Sequence, residues 1–329
     1  MIPKKFLETF IKKIEKYKNI SIFFHELPDF DALGSSFALQ NFLIKKYPKK
    51  SINIVGLSSI KKQSKNSFFS FKNKEVDDNE IKNSFGIILD TPTKDRIATP
   101  KYQLCHELCL IDHHPKIKTF TNIEWIDEKY PATCQMIAEL LLKWDRKNVS
   151  ILVSNYLYAG IVTDTNRFFY PTVLPSTYQI VSELVKIGCQ RQKVHQAIYT
   201  KEVNDLLFQK YVIKKAHFDQ KLGLAWVKLG KKCYHRYKIK YCNSMVNTLA
   251  NVNKIKVWLS FYYDFDAKQW KGSLRSASLP INHIAKKYHG GGHKLAAGFK
   301  ILKHCEFKKI LNDLKKYLGE KENFCHGAI

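Results

Sequence analysis

The chain has 329 residues, a length that fits two domains. Hydrophobic residues make up 45% and aromatic residues 13%; this is too rich for a disordered chain, and no apolar run approaches the length of about 18 residues that a membrane helix needs. Lysine and arginine number 55 against 29 aspartates and glutamates, a formal net charge of +26, which points to an anionic partner such as nucleic acid, a nucleotide or an anionic surface. Only six of the basic residues are arginine, so a lysine-biased composition accounts for the excess equally well.

At the N-terminus Phe6, Phe10, Ile11 and Ile14 recur at helical spacing, with Lys and Glu between them. The pattern predicts an amphipathic helix over 4–18, not a secretory signal. Residues 20–24 read as a strand, 32–46 as a helix and 52–57 as a second strand. Residues 61–84 are rich in Lys, Asn and Ser and predict a surface excursion. Strands follow at 87–89 and 108–111, then helices at 131–146 and about 150–162. This alternation predicts an α/β domain with a mostly parallel sheet. Helical stretches at 176–187, 190–198 and 202–217 lead to a second alternation. It has a strand at 222–229, a helix over 234–250 and a strong strand at 256–265 that pairs with 269–277. A short helix at 281–288, a glycine run and a closing helix at 305–318 complete it. The expected division is a first domain over 1–190, a helical linker over 191–217 and a second domain over 218–329.

Eight cysteines occur (Cys105, Cys109, Cys134, Cys189, Cys233, Cys242, Cys305, Cys325), none in a C-x-x-C pair. In a chain of this size without a secretion signal they predict reduced thiols in the cytoplasm, mostly small core residues, and argue against a zinc site.

Four apolar runs of the first half end in residues able to bind metal. Residues 22–24 precede His25, Asp29 and Asp31; residues 87–89 precede Asp90; residues 108–111 precede Asp112, His113 and His114; residues 160–163 precede Asp164. In an open α/β sheet, ligands bind in the crevice beyond the carboxyl ends of the strands, where these groups would converge. Taken singly, each has a plainer role: Asp31 as the N-cap of the helix that opens at Leu33-Gly34-Ser35, a lone Asp as a turn former. A charged triplet straight after a buried strand is costly unless solvated, paired or metal-bound. Imidazole and carboxylate without thiolate suit Mn²⁺, with Mg²⁺, Fe²⁺ or Co²⁺ also acceptable. The set exceeds what one ion needs. Two ions about 3.5–4 Å apart, sharing a carboxylate and activating a water, perform in-line attack on phosphorus.

His25-x-x-x-Asp29-x-Asp31 with Gly34-Ser35, then Asp90, then Asp112-His113-His114, then Asp164 resembles the DHH phosphoesterase superfamily. The resemblance implies a pair of divalent metal ions, with Mn²⁺ favoured. One would be held by His25, Asp29 and Asp90, the other by Asp31, Asp90, His113 and Asp164, so that Asp90 bridges. It implies that His114 faces the phosphate and that Asp112 fixes an imidazole tautomer.

Near the C-terminus, His289-Gly290-Gly291-Gly292-His293 gathers three consecutive glycines, and Gly298 follows. Such a run lets backbone N–H groups approach an anion, or forms a flexible turn; the small residues after it permit tight helix packing. Arg275-Ser276 lies just upstream. Arg275 is one of the few arginines and suits a bidentate grip on phosphate, or a plain surface strand position. Together these residues resemble the smaller C-terminal domain associated with one DHH subfamily. That resemblance implies a two-domain α/β protein in which a parallel-sheet DHH domain and a smaller α/β nucleotide-binding domain flank the site. Arg275, Ser276, Gly290, Gly291, Gly292 and His293 would then bind substrate. Arg167 and Phe168-Phe169, directly after Asp164, either line the same site or pack as an aromatic cluster.

In length and layout the nearest group is the bacterial nano-RNase/pAp phosphatases. This implies hydrolysis of oligoribonucleotides of a few residues, or of 3′-phosphoadenosine 5′-phosphate (pAp). The implied partners are short RNA and such nucleotides, with a homodimer admitted, no membrane and a cytoplasmic setting. The alternatives are a cyclic- or linear-dinucleotide phosphodiesterase, a RecJ-like exonuclease on single-stranded DNA, an inorganic pyrophosphatase, and a non-catalytic basic nucleic-acid-binding protein. The glycine run argues against the pyrophosphatase, and the chain has no room for the added nucleic-acid-binding fold of the exonuclease.

Overall fold

The computed structural model of the protein describes residues 1–60, 68–69, 75–91, 93–237, 243–265, 267–303 and 305–326. It divides into two compact units, Met1–Thr200 and Lys201–Ile329.

The first unit is built on five strands: β1 (Asn19–Phe23), β2 (Ser51–Ile54), β3 (Ser84–Leu89), β4 (Glu107–Asp112) and β5 (Ile123–Ile126). They are all parallel, in the order β2-β1-β3-β4-β5. Their side chains alternate between two apolar layers. Ile20, Ile22, Phe85, Ile87, Leu89, Cys109 and Ile111 enter the larger core, whereas Phe23, Ile88 and Leu110 enter a smaller one on the opposite face. With both faces covered, central strands read as unbroken apolar runs, which is why the sequence marks β1, β3 and β4.

Helices cover the larger face. The amphipathic α1 (Lys4–Lys16) buries Phe6, Phe10 and Ile14 at four-residue spacing, and Phe6 meets Trp125 of β5 at 5.6 Å between ring centroids. Then come α2 (Phe30–Lys46), α4 (Thr133–Asp145), α5 (Ile151–Asp164), α6 (Pro175–Ile187) and α7 (Arg191–Tyr199), while the short α3 (Asp78–Lys82) adds its Ile81 to the smaller core on the other face. Helix α5 has no polar stripe, as expected of a helix buried on nearly all sides. It lies close against α2 and α4 because the contact positions are small. A Cβ on Gly34 would sit 2.6 Å from the Tyr156 carbonyl oxygen, and one on Gly160 would sit 2.3 Å from Cys134 Sγ and 2.7 Å from Asp31 Oδ1.

Two expectations for this unit change. The cap of α2 is Asp29, whose side chain accepts from the N–H groups of Asp31 and Ala32, both at 3.0 Å; Asp31 lies inside the helix and its carboxylate turns elsewhere. The polar stretch 61–84 is more than a surface excursion. Most of its first half lies outside the described residues, yet Phe69 is buried and stacks on Phe37 and Tyr156, each at 5.3 Å, and α3 follows. The run ending at Asp164 is the last turn of the helix expected over about 150–162, so three of the four ligand-bearing segments follow strands and one closes a helix.

The second unit opens with α8 (Val203–Lys215). Its six strands are β6 (His217–Asp219), β7 (Leu224–Leu229), β8 (Val257–Asp264), β9 (Gln269–Ser276), β10 (Gly291–His293) and β11 (Ala296–Ile301). The order is β10-β11-β9-β8-β7-β6, with β7 and β8 parallel and the other pairs antiparallel. The expected β8–β9 hairpin is present. The helix expected over 234–250 is instead α9 (Lys231–Tyr237) and a 3₁₀ segment, Asn243–Leu249, on either side of residues outside the described set. Helices α10 (Asn282–Lys287) and α11 (Glu306–His326) pack on one face of the sheet. The small residues after the glycine run form a strand, β11, not a helix. The stretch 191–217 contains α7 in the first unit and α8 in the second. Cys105, Cys109, Cys134, Cys189, Cys233 and Cys305 are free thiols, and all but Cys105 and Cys305 are buried; Cys242 and the side chain of Cys325 lie outside the described residues.

Gly160→Ala should destabilise the protein by about 1–3 kcal/mol in urea unfolding, the range for forcing a methyl into a packed core. Adding Cys134→Ala to that variant should recover part of the loss, because Cys134 Sγ is the nearest obstacle.

Candidate metal centre

The strand order places the first unit's crevice. From β1 the chain goes to β2 on one side, then crosses to β3 on the other. The carboxyl ends of β1 and β3 therefore flank a topological switch point, where open sheets leave room for ligands. His25 follows β1 and Asp90 follows β3. Asp90 adopts a left-handed backbone, φ 59°, while its N–H still donates to the Ile111 carbonyl at 3.1 Å. Aspartate tolerates that conformation better than most residues. The next strand, β4, ends at Asp112 and delivers His113 and His114.

These groups meet. His25 Nε2 lies 3.8 Å from Asp29 Oδ1 and 3.5 Å from Asp90 Oδ2. His113 Nε2 lies 3.4 Å from Asp90 Oδ1, 3.4 Å from Asp164 Oδ2 and 3.9 Å from Asp31 Oδ2. The two oxygens of Asp90 thus face two different imidazoles. His25, Asp29 and Asp90 offer ligand atoms within 4.8 Å of one another, as do Asp31, His113 and Asp164, and a third such set joins Asp90 and His113 to His114.

The far side of each ring is held. Nδ1 of His25 lies 2.7 Å from the Glu26 carbonyl oxygen, and Nδ1 of His113 lies 3.2 Å from that of Tyr130. A carbonyl can only accept, so each Nδ1 carries the proton and each Nε2 is turned to the carboxylates. His114 differs: its Nδ1 donates to Asp112 Oδ1 at 2.8 Å, and it lies 3.6 Å from Asp90 Oδ1. Asp112 is fully buried, and its Oδ1 also accepts from the His114 backbone N–H at 3.2 Å.

The charges are in conflict. Asp31 and Asp90 are both buried. Burial and the neighbouring Asp90 charge push the Asp31 carboxyl up to about 7. Burial and the Asp31 charge push Asp164 well above the usual carboxylate range. Burial works against the charge of Asp90 as well, but His113 and His25 hold its carboxyl below that range. Burial would lower both imidazoles, yet the carboxylates around them hold His25 and His113 well above the usual histidine range. Carboxylates so close in a dry pocket need cations among them. The described ion-pair partners of Asp29, Asp31, Asp90 and Asp164 are all imidazoles. Oxygen and imidazole donors, with Nδ1 groups pinned by carbonyls, are the surroundings in which hard or borderline divalent ions bind. The residues present fit such ions.

Two contributors carry no signal in the sequence. Helix α4 starts without a side-chain cap of its own, at Ala132. Its first N–H groups are satisfied from α2: Thr133 N–H donates to Asp31 Oδ2 and Cys134 N–H to Asp31 Oδ1, each at 2.7 Å. Thr133 Oγ1 donates to Asp90 Oδ1 at 3.1 Å. An anion at a helix N-terminus is favoured by the unpaired N–H groups and the helix dipole.

The remaining residues singled out by the sequence lie in the second unit. Strand register sets Arg275 beside Ala296 and Ala296 beside His293. Cross-strand partners share a face, so Arg275 and His293 stand on one side of the sheet, about 10 Å apart. Arg275 donates to the Leu274 carbonyl oxygen at 2.9 Å. Ser276 Oγ accepts from Leu279 N–H at 2.8 Å and caps the following turn. Gly291 and Gly292 belong to the β10–β11 hairpin. Close backbone packing requires two of the glycines: a Cβ on Gly290 would sit 2.1 Å from the Gly298 carbonyl oxygen, and Gly292 has φ 133°.

Known proteins share this architecture and sequence. The DHH family N-terminal domain matches residues 19–161 and the DHHA1 domain residues 230–320. The uncharacterized protein MG371 of Mycoplasma genitalium is 36% identical over 97% of this chain and 98% of its own. The bifunctional oligoribonuclease and PAP phosphatase NrnA of Bacillus subtilis is 29% identical over 95% of this chain and 98% of its own. An exopolyphosphatase-related protein from Bacteroides fragilis has the same fold, with a TM-score of 0.85 at 23% identity over 97% of this chain and 99% of that one. With its aspartates and histidines gathered at the carboxyl edge of a parallel sheet and a DHHA1 domain behind it in sequence, the chain belongs to the DHH family.

Proposed function

We propose that the protein is a metal-dependent phosphoesterase. It hydrolyses very short oligoribonucleotides to mononucleotides, pAp to AMP, or both. The observation that carries this reading is Asp90, whose two oxygens face His25 on one side and His113 on the other. A carboxylate so placed would serve two cations at once. One set would be His25, Asp29 and Asp90, and the other Asp31, Asp90, His113 and Asp164. When bound, a pair of divalent ions, Mn²⁺ first among them, supplies Lewis acidity and a nucleophilic water at neutral pH.

The chain's own groups do the rest. Thr133 and Cys134 N–H groups hold the Asp31 carboxylate in one orientation. Asp112 fixes the His114 ring by accepting from Nδ1, which leaves Nε2 as the atom turned to substrate. In the second unit, Arg275 and His293, on one face, would bind a further phosphate or the nucleotide end. The high positive charge of the chain draws such anions. The Bacillus subtilis relative, named for oligoribonuclease and PAP phosphatase activity, supports this choice of substrates.

A hydrolysis panel with Mn²⁺ tests the reading: RNA of two to five nucleotides, longer RNA and DNA, pAp, a cyclic dinucleotide and pyrophosphate. Turnover should be confined to the shortest RNAs and pAp. Preference for long DNA, for pyrophosphate or for the cyclic dinucleotide would replace the reading with another phosphoesterase activity. Asp90→Asn should lower kcat/KM by about a thousandfold or more, some 4 kcal/mol of transition-state stabilisation, in a protein that stays folded. Thr133→Val, which removes only the hydroxyl bonded to Asp90, should lose about 10- to 100-fold.

The pKa directions fix a pH dependence. Below neutral pH the metal-free site gains from protons on Asp31, Asp164, His25 and His113, all of which bind them more tightly folded than unfolded. That stabilisation is lost as pH rises through about 7 and beyond, whereas the Asp90 contribution stays constant there. In EDTA, unfolding stability should therefore fall between about pH 6 and pH 8. With Mn²⁺ the fall should shrink or reverse, since cation binding displaces those protons. Equal pH profiles with and without Mn²⁺ would contradict a metal centre here.

A further inference from the structure

Just past Asp164 the backbone takes an unusual course. Asn166, Arg167 and Phe168 are three consecutive non-glycine residues in the left-handed region, with φ of 47°, 61° and 66°, a conformation L side chains resist. A dense set of bonds enforces it. Thr165 is buried, its Oγ1 donates to the Ile161 carbonyl oxygen at 2.6 Å and accepts from Phe168 N–H at 3.0 Å. Arg167 N–H donates to the Val162 carbonyl oxygen at 2.8 Å. The N–H groups of Phe169 and Tyr170 both donate to the Thr165 carbonyl oxygen, at 3.0 and 3.1 Å. The Phe168 ring packs against Tyr158 and Tyr178. The result is that Phe169 stands 68% exposed on a pinned backbone. Hydrophobic burial gives no reason to hold it there. Strain of this kind is kept where it serves a site.

The surroundings say what it serves. Tyr178 beside Phe168 is 54% exposed. The Arg167 guanidinium lies over the Tyr199 ring, 5.4 Å from its centroid. Tyr158 also lines a cavity of about 540 Å³ with Arg191, Lys193 and His195. The exposed rings of Phe169, Tyr178 and Tyr199 and the cations Arg167, Arg191 and Lys193 therefore gather along one strip of the first unit, over the buried Tyr158. Two of the six arginines are here. Single-stranded nucleic acid is bound by such a strip, bases on the rings and phosphates on the cations. A second copy of the chain fits it poorly, because each copy carries +26 and would bring like charge to Arg167, Arg191 and Lys193.

We propose that the Asn166–Tyr170 turn and the start of α7 form a binding strip for single-stranded RNA, with Phe169 as the platform on which a nucleobase stacks. This rests on the phosphoesterase reading for its link to turnover, but not for binding. The strip selects an oligonucleotide by its bases.

The test is calorimetric binding of an RNA trinucleotide to the full chain, with Ca²⁺ replacing Mn²⁺ to suppress turnover. Phe169→Ala should weaken binding about tenfold, the cost of losing one base–aromatic stack. Phe169→Trp should bind at least as tightly as the native protein. With an abasic ribose-phosphate trimer, native and Phe169→Ala proteins should bind alike. Equal trinucleotide affinity for the native and Phe169→Ala proteins would overturn the proposal, as would a native protein that binds no trinucleotide. A Phe169→Ala protein whose sedimentation changes while its RNA affinity does not would assign the face to a second copy instead. If the native protein shows this pattern of binding yet hydrolyses nothing with Mn²⁺, the phosphoesterase reading falls and the strip stands.

Discussion

Several carboxylates within a few ångström of one another, two of them buried, cannot all keep their charge unless positive charge is placed among them. That constraint organises the first unit. Asp31, Asp90 and Asp164 surround His113, and Asp29 and Asp90 flank His25. Without cations the pocket resolves the conflict by retaining protons on Asp31, Asp164 and the imidazoles. The folded protein thus carries a built-in electrostatic debt at this point of the sheet edge, and divalent ions are the counter-charge its donor atoms match.

The fold supplies the geometry cheaply in some places and at a cost in others. The N-terminal end of α2 favours Asp29, and that of α4 favours Asp31, since free N–H groups point at both. Asp164 is the opposite case. It closes α5, where the helix dipole already presents negative charge and an aspartate is disfavoured. A residue that breaks a local rule in the middle of a cluster that otherwise obeys such rules is the kind of departure found at functional sites. The three left-handed residues that follow Asp164 are a second departure of the same sort.

The sequence made β1, β3 and β4 legible because a strand covered on both faces must be apolar throughout, and ligand-bearing residues stand out at its end. It also made the β8–β9 hairpin and α10 legible. It did not mark β5, whose Glu124 interrupts a four-residue edge strand. It did not mark Phe69 as a core residue, because three phenylalanines (Phe68, Phe69 and Phe71) in a Lys- and Ser-rich stretch show no helical or strand period. Spacing marks Asp31 as the α2 cap instead of Asp29, since both precede the helix predicted from residue 32 and spacing alone cannot tell which side chain folds back on the backbone. Thr133 and Cys134 were out of reach altogether. Their part depends on a contact across about a hundred residues of chain, and the local clue, an alanine where a helix ordinarily places a capping side chain, is an absence.

The cluster draws on His25 at one extreme and Asp164 at the other, with four strands, β2 to β5, and four helices, α2 to α5, laid down between them. A ribosome has therefore delivered half the protein before the last donor emerges. Until then the growing chain offers only partial donor sets, competing for scarce cations on equal terms with any loose pair of carboxylates. A full donor set therefore requires the chain to be folded from β1 through the end of α5.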